Sequence, residues 1–369
     1  MRVLYLSLSY VPSRRASSVQ VMRMCAAMAR AGHDVMLLAK RGKEGAGVDE
    51  HAFYGVAPTF AVRRLPRPPR RGGGVLFSAA MAAQIVRYRK TVDLVFSRDL
   101  LGAFVASQAG LPVLFEAHSV PQAPLSRRLW SALVASSALR RLVVISEALR
   151  RDLAHEGLLP RAGSVVVAHD AADPPDPRPR LRGEGAAPRV GYVGSLYPGR
   201  GLELLLALAG RLPAVSFDVI GGTEADLARW RPEAPANVRF HGFVPPGQLA
   251  QRYAELTVLL MPYARSGVGG PLAAVDTSRW CSPMKMFEYM ASGAPIISSD
   301  LPVLQEVLRH EHNALIAPVD QLDAWQAAVE RLLAEPATRE RLGGQALADL
   351  LAHHTWDARV AAVLDGLPA

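Results

Sequence analysis

The sequence predicts an α/β protein built from two doubly wound, Rossmann-like domains that face a cleft. Three observations carry this expectation. Short apolar runs alternate with amphipathic segments along most of the chain, the signature of parallel strands with helices on both faces. A stretch rich in proline, arginine and glycine, residues 173–188, interrupts that alternation. The chain has 369 residues, enough for two domains at roughly 100–200 residues each.

The alternation opens with an apolar run at residues 3–8. It continues into Tyr10-Val11-Pro12-Ser13-Arg14-Arg15 without the small-residue cleavage site of a signal peptide, so it reads as a first buried strand. Helices are expected at 19–30, 76–89, 125–139 and 147–156, and further strands at 34–39, 94–97, 113–116, 141–145 and 164–168. The break, which begins Asp173-Pro174-Pro175-Asp176-Pro177, suits neither a helix interior nor a central strand, because proline lacks a donor N–H. It reads as a hinge. Beyond it the spacing predicts strands at 189–193, 216–220, 238–241, 258–261, 295–298 and 314–317. Helices are expected at 202–211, 224–231, 246–254, 283–292, 303–309 and 321–335. The expected organisation is a first domain over 1–172, a hinge over 173–188 and a second domain over 189–350, with residues 351–369 forming a terminal helix. Ligands of such sheets bind outside the carboxyl ends of the strands.

Composition narrows the function. Half the residues are hydrophobic and 20% charged, which excludes a mainly disordered chain. The formal charge is +9, carried by 38 arginines and only four lysines: Lys40, Lys43, Lys90 and Lys285. Aromatic residues are few, at 7%, and the arginines are scattered, which argues against nucleic acid as a partner. One basic stretch, Arg63 to Arg71, runs into three glycines and reads as an exposed loop able to meet an anionic membrane surface or acidic acceptor. No apolar run reaches the 18 or more residues of a membrane span. Cys25 and Cys281 make neither a disulfide scaffold nor a metal spacing, and a reducing cytoplasm is the simplest setting. No Asp-x-Asp motif occurs, and His310-x-His312 lacks further ligands and reads as a solvated loop.

Chemistry concentrates in the second half. The turn from Gly191 to Gly201 leads from a strand into a helix, whose N-terminal N–H groups suit a phosphate, and Arg200 adds a cation there. It lacks the dinucleotide GxGxxG spacing. Gly221-Gly222 and the turn through Phe243-Val244 are weaker signals for the border of a flat base. The most informative segment is Ser282-Pro283-Met284-Lys285-Met286-Phe287-Glu288-Tyr289-Met290-Ala291-Ser292-Gly293. Ser282 is the expected N-cap, Pro283 the first helical residue and Gly293 the stop signal. Lys285 then sits in the first turn, where the helix dipole opposes a cation. Two readings fit: an ordinary i,i+3 surface pair with Glu288, or a lysine held for a polyanion with Glu288 gripping a ribose diol.

These features together, with Val144-Ile145-Ser146-Glu147 in the first half and Ser298-Ser299-Asp300-Leu301-Pro302 after the lysine helix, resemble the GT-B glycosyltransferases of family 4. The resemblance spans nearly the whole chain. It implies a retaining transfer from a nucleoside diphosphate sugar, a UDP- or GDP-sugar, to a glycan, lipid-linked or small-molecule acceptor, without a metal or other cofactor. Glu288 matches the ribose ligand, and Arg200 and Lys285 match the diphosphate ligands. His118, in Phe115-Glu116-Ala117-His118-Ser119, matches a histidine that faces the donor sugar. Gly194, Ser195, Gly221, Gly222, Phe243, Val244, Ser282, Pro283, Met284 and Met286 fall in the donor pocket, and Arg14, Ser17 and Ser18 in a loop bordering donor phosphate and acceptor. Asp170 is expected to order the crossover near the hinge, and the terminal helix to pack back on the first domain. Two positions depart from the pattern: Ser195 stands where an arginine is frequent, and Trp280 where a glutamate is frequent. Two alternatives stay open: a nucleotide-sugar 2-epimerase of the same fold, and a non-catalytic nucleotide-sugar binding subunit, which the loss of that carboxylate favours.

Overall fold

A computed structural model describes all residues except 43–46, 67–72, 162, 176–186, 267–275, 277 and 368–369, with the backbone alone for 73–76. The described chain divides into two compact units, residues 1–169 with 356–369, and residues 170–355.

The first unit alternates strands and helices: β1 (Arg2–Val11), α1 (Ala16–Arg30), β2 (Asp34–Arg41), α2 (Glu50–Tyr54), β3 (Ala61–Leu65), α3 (Gly73–Tyr88) and β4 (Leu94–Ser97). It continues with α4 (Leu100–Gln108), β5 (Val113–Ala117), α5 (Pro124–Val134), β6 (Leu139–Val144), α6 (Glu147–His155) and β7 (Ser164–Val167). The seven strands form one sheet in the order β3-β2-β1-β4-β5-β6-β7, and every pairing is parallel. Because helices cover both faces, β4 and β5 are buried along their whole length. The order reverses between β1 and β4, and that switch point opens a crevice at the carboxyl ends of the two strands.

The second unit repeats the plan with β8 (Arg189–Val193), α7 (Leu202–Arg211), β9 (Ser216–Ile220), α8 (Glu224–Trp230), β10 (Val238–Gly242), α9 (Leu249–Tyr253), β11 (Val258–Met261), α10 (Met284–Ser292), β12 (Ile296–Ser299) and β13 (Leu315–Ala317). Two helices follow, α11 (Leu322–Ala334) and α12 (Pro336–His353). The sheet order is β10-β9-β8-β11-β12-β13, again all parallel, with its switch point between β8 and β11. Val190, Phe217, Val219, Leu260, Ile297, Trp325 and Val329 anchor its core. The final helix, α13 (Trp356–Leu364), belongs to the first unit, where it packs on α1 and buries Trp356, Val360 and Val363.

The alternation and its class follow the sequence, but several elements differ. The helix expected at 125–139 ends at Val134, and Leu139 opens β6. At 303–309 there is no α-helix. Mixed i+3 and i+4 bonds form turns there, while Val303, Leu304, Val307 and Leu308 are buried by tertiary packing. The helix expected at 246–254 is a 3₁₀ turn, Pro246–Gln248, followed by the short α9. Two helices absent from the sequence reading contain glycine for packing. A Cβ at Gly102 in α4 would lie 3.0 Å from the Met81 sulfur, and one at Gly343 in α12 would lie 1.9 Å from the Gly293 carbonyl oxygen. Such glycines weaken the helical signal because their reason is a distant neighbour. The basic stretch is also not simply a loop: Arg63 and Arg64 lie in β3, where they meet Tyr88 and Glu50. Its members Arg67, Arg70 and Arg71 fall outside the described residues, as does most of the hinge. Among the described residues no helix is long and apolar enough to cross a membrane.

Candidate active site

In the second unit the carboxyl ends of β8 and β11 collect two cations. Lys285, in the first turn of α10, points its Nζ over the Tyr192 ring at 4.0 Å and toward the Tyr263 ring at 5.1 Å. That Nζ is buried and has no hydrogen-bond partner. It makes no ion pair with Glu288, so the surface-pair reading of the two residues fails. Arg200 lies over the same Tyr263 ring, its Cζ 4.7 Å from the centroid, with Nε buried and also without a partner. Burial, together with the nearby Arg200 guanidinium, pushes the Lys285 ammonium well below its ordinary pKa, against the opposing pull of Glu288. Burial raises Tyr263 to about 12 and lifts Tyr192 as well, so neither ring supplies a counter-charge at neutral pH.

Glycine makes this arrangement possible at two places. Gly194, with φ of 149°, directly follows β8, and a Cβ there would sit 2.7 Å from the Lys285 Nζ. Gly201, with φ of 78°, closes the turn that presents Arg200, and a Cβ there would fall 1.7 Å from the Pro262 carbonyl oxygen. Gly221 and Gly222 answer to packing. Their Cβ atoms would meet the Gly194 carbonyl oxygen at 2.0 Å and the Leu196 side chain at 2.6 Å. Glu288 lies one turn beyond Lys285 on α10, and its Oε2 accepts a hydrogen bond of 3.0 Å from the Tyr253 hydroxyl.

The rest of the lysine helix departs from the sequence reading in one respect. α10 begins at Met284 with Pro283 as its N-cap, and no side chain caps it. Ser282 is buried one residue earlier, its hydroxyl accepting the Asp170 backbone N–H at 2.7 Å. Extended Pro283 has no side-chain acceptor, so the start of the helix is left without a cap. Met286 is 1% exposed and belongs to the core, Met284 is partly buried, Ser195 is exposed, and Phe243 and Val244 are partly buried after β10. His310 and His312 are structural: the His310 Nδ1 accepts the Ile316 N–H, and His312 pairs with Asp349 at 3.3 Å.

In the first unit His118 follows β5 and belongs to a charged network that the sequence reading missed. Glu116, fully buried on β5, has Oε1 2.7 Å from the His118 Nε2, 3.1 Å from the Arg98 Nε and 2.9 Å from the Gln20 Nε2. Its Oε2 takes a hydrogen bond of 3.0 Å from Arg359 on α13. Burial works against the Glu116 charge, but Arg359, His118 and Arg98 outweigh it and hold the carboxyl far below its ordinary range. Burial and the Arg98 charge lower the His118 pKa to about 4 against the pull of Glu116, so the ring is neutral at neutral pH. The His118 Nε2 also lies 2.9 Å from the Arg98 Nε, and its Nδ1 lies 3.4 Å from the Arg98 Nη2, so the ring is held between a carboxylate and a guanidinium. Arg98 stands directly after β4 and also donates to the Ser17 carbonyl at 3.0 Å, spanning the switch-point crevice. Ser18 is fully buried and hydrogen-bonds the Ser13 and Arg15 carbonyls, so it shapes the loop from within, while Arg14 is exposed. The missed signals were a glutamate in the apolar run 113–117 and an arginine in the apolar terminal helix, each a buried charge that requires a partner.

Two family models match the chain: Glycosyltransferase Family 4 over residues 17–174 and Glycosyl transferase-like over residues 200–365. A GDP-mannose-dependent alpha-mannosyltransferase of Mycolicibacterium smegmatis is 26% identical over 387 aligned residues, which cover 96% of this chain and 94% of that protein. Among solved structures, Anabaena HepE in complex with UDP-glucose superposes with a TM-score of 0.72 at 14% identity and covers both chains fully. Sucrose-phosphate synthase from Thermosynechococcus elongatus gives a TM-score of 0.71 at 20% identity over 97% of this chain and 96% of that one.

Proposed function

Because the chain belongs to glycosyltransferase family 4, with the two parallel-sheet domains of the GT-B fold, we propose that it transfers a sugar from a nucleoside diphosphate sugar to an acceptor hydroxyl with retention of anomeric configuration. One observation carries the reading: Lys285 and Arg200 present buried nitrogens without protein partners at the switch point of the second unit. A buried cation is costly unless paired, so the cluster is complete only when an anion arrives. A diphosphate supplies that anion.

Cleavage of the bond between the anomeric carbon and the diphosphate builds negative charge on the departing phosphate. Lys285 and Arg200 are already in place to stabilise it, in surroundings where charge interacts strongly. This arrangement needs no metal ion. The Glu288 carboxylate, held through Oε2 by Tyr253, accepts hydrogen bonds from the ribose diol. In the first unit the neutral His118 ring, held by Glu116 and Arg98, is the group assigned to hydrogen-bond the sugar. The leaving phosphate takes the acceptor proton on the same face, which accounts for retention. The mannosyltransferase relative supports GDP-mannose as a first donor, and the HepE complex keeps UDP-glucose in the comparison. Free Cys25 and Cys281 suit a reducing cytoplasm.

The test is a thermal-shift screen of GDP- and UDP-sugars followed by transfer assays with the stabilising donor. Lys285→Met and Glu288→Ala each lose most transfer while keeping the native circular dichroism spectrum. Normal turnover in both removes the site assignment, and conversion of the donor without acceptor identifies an epimerase instead.

A further inference from the structure

The first unit holds a second group of cations, away from the network of His118. β1 and β2 end side by side, with Tyr10 opposite Lys40 and Val11 opposite Arg41. The Tyr10 ring has the Arg15 Cζ at 5.4 Å and the Lys40 Nζ at 5.5 Å from its centroid, and the same Nζ lies 4.7 Å from the Phe77 centroid. Neither Arg15 nor Lys40 has a carboxylate within ion-pair distance among the described residues. Asp99 is the acid whose field reaches Lys40, but its side chain caps α4 by accepting the Gly102 N–H at 2.8 Å.

The loop that presents Arg14 and Arg15 is fixed from below. The Tyr54 hydroxyl accepts the Ser13 N–H at 2.7 Å and donates to the Ser13 carbonyl at 3.0 Å. The Ser18 hydroxyl donates to the Ser13 and Arg15 carbonyls, and Ser13 and Ser18 share a hydrogen bond of 2.8 Å. Three buried hydroxyls thus hold a short segment whose outward side chains are two arginines. Holding cations rigidly lowers the ordering cost of binding, which benefits an anionic ligand most.

We infer that Arg15 and Lys40, arranged around Tyr10, bind a phosphate group carried by the acceptor. This rests on the glycosyltransferase reading, since it concerns the second substrate of the same reaction, and it makes that substrate a phosphate ester, soluble or lipid-held. The site differs from the donor cluster in unit, residues and exposure: Lys40 is partly exposed, whereas the Lys285 nitrogen is buried.

Having only four lysines makes the chain suitable for amine labelling read by mass spectrometry. Lys40 and Lys90 are labelled with an acetylating reagent in the presence of glycerol, glycerol 1-phosphate, GDP, or vesicles of phosphatidylglycerol or phosphatidylcholine. Glycerol 1-phosphate or phosphatidylglycerol slows Lys40 labelling about tenfold, as one charge-assisted contact allows, while glycerol and phosphatidylcholine leave it unchanged. Arg15→Gln removes that protection, and Lys90 is unaffected throughout. Protection by the soluble ester indicates a soluble acceptor, and protection by the vesicles alone indicates a lipid-held one. Equal Lys40 rates in all conditions, or parallel protection of Lys90, overturn the inference. GDP stabilises the wild-type protein and not Lys285→Met in a thermal-shift assay and leaves Lys40 labelling unchanged, so failure of that shift counts against the donor site and failure at Lys40 against the acceptor site.

Discussion

Lys285 concentrates the cost and the use of the proposed donor site in one side chain. An ammonium without a partner in buried surroundings destabilises the fold, so Lys285→Met is expected to raise stability by roughly 1–3 kcal/mol while abolishing transfer. Urea denaturation of the two proteins measures the gain, and a loss of stability shows that the lysine has a structural partner. The pH dependence has a definite sign. The folded pKa of Lys285 lies below its unfolded value, so its penalty is full below the folded pKa and disappears as pH rises through the unfolded one. The advantage of Lys285→Met therefore shrinks toward high pH. His118 offers a second check at the same scale. Nitrogen-detected NMR of labelled imidazoles is expected to show a pKa near 4. Arg98→Gln raises that pKa by removing a cation and Glu116→Gln lowers it by removing an anion. Shifts in the same direction for both variants refute the network as described.

At the scale of elements, α13 completes the first unit by bringing Arg359 to the buried Glu116. Breaking such a pair by removing one partner costs about 3–5 kcal/mol. Arg359→Met should lose stability in that range, and Glu116→Gln with Arg359→Met should recover part of it; additive losses would show that the pair is not coupled. The turns are equally specific. Gly201→Ala places a Cβ against the Pro262 carbonyl and forces the Arg200 turn to move, so donor affinity falls along with stability. Much of this plan was legible in the sequence, because strand and helix periodicities are local and parallel sheets bury their strands on both faces. The lysine helix was legible too, with Lys285 and Glu288 marked by position. What escaped depends on neighbours distant in sequence. Ser282 read as a local cap and instead binds the Asp170 N–H. α4 and α12 were hidden by glycines that serve contacts with other elements. Glu116, Arg98, Gln20 and Arg359 meet across as many as 243 positions, which no local pattern reveals.

Over the whole molecule, the charge of +9 resolves into groups with separate tasks. Some arginines neutralise buried acids, as Arg359 does for Glu116 and Arg189 for Asp218. Others are proposed to take an anion, Arg200 and Lys285 in one unit and Arg15 and Lys40 in the other. The first of these pairs is proposed to take a nucleoside diphosphate. Because burial has already lowered the Lys285 pKa, a bound diphosphate must raise it again, and binding takes up a proton between the two values. Calorimetric titration of GDP and UDP in buffers of different ionisation enthalpy tests this directly. The wild-type protein is predicted to bind at least one of them with proton uptake and with affinity that falls as pH rises, and Lys285→Met to lose both the uptake and most of the affinity. Equal binding by the two proteins, or binding without proton uptake at any pH, would show that Lys285 does not hold the diphosphate.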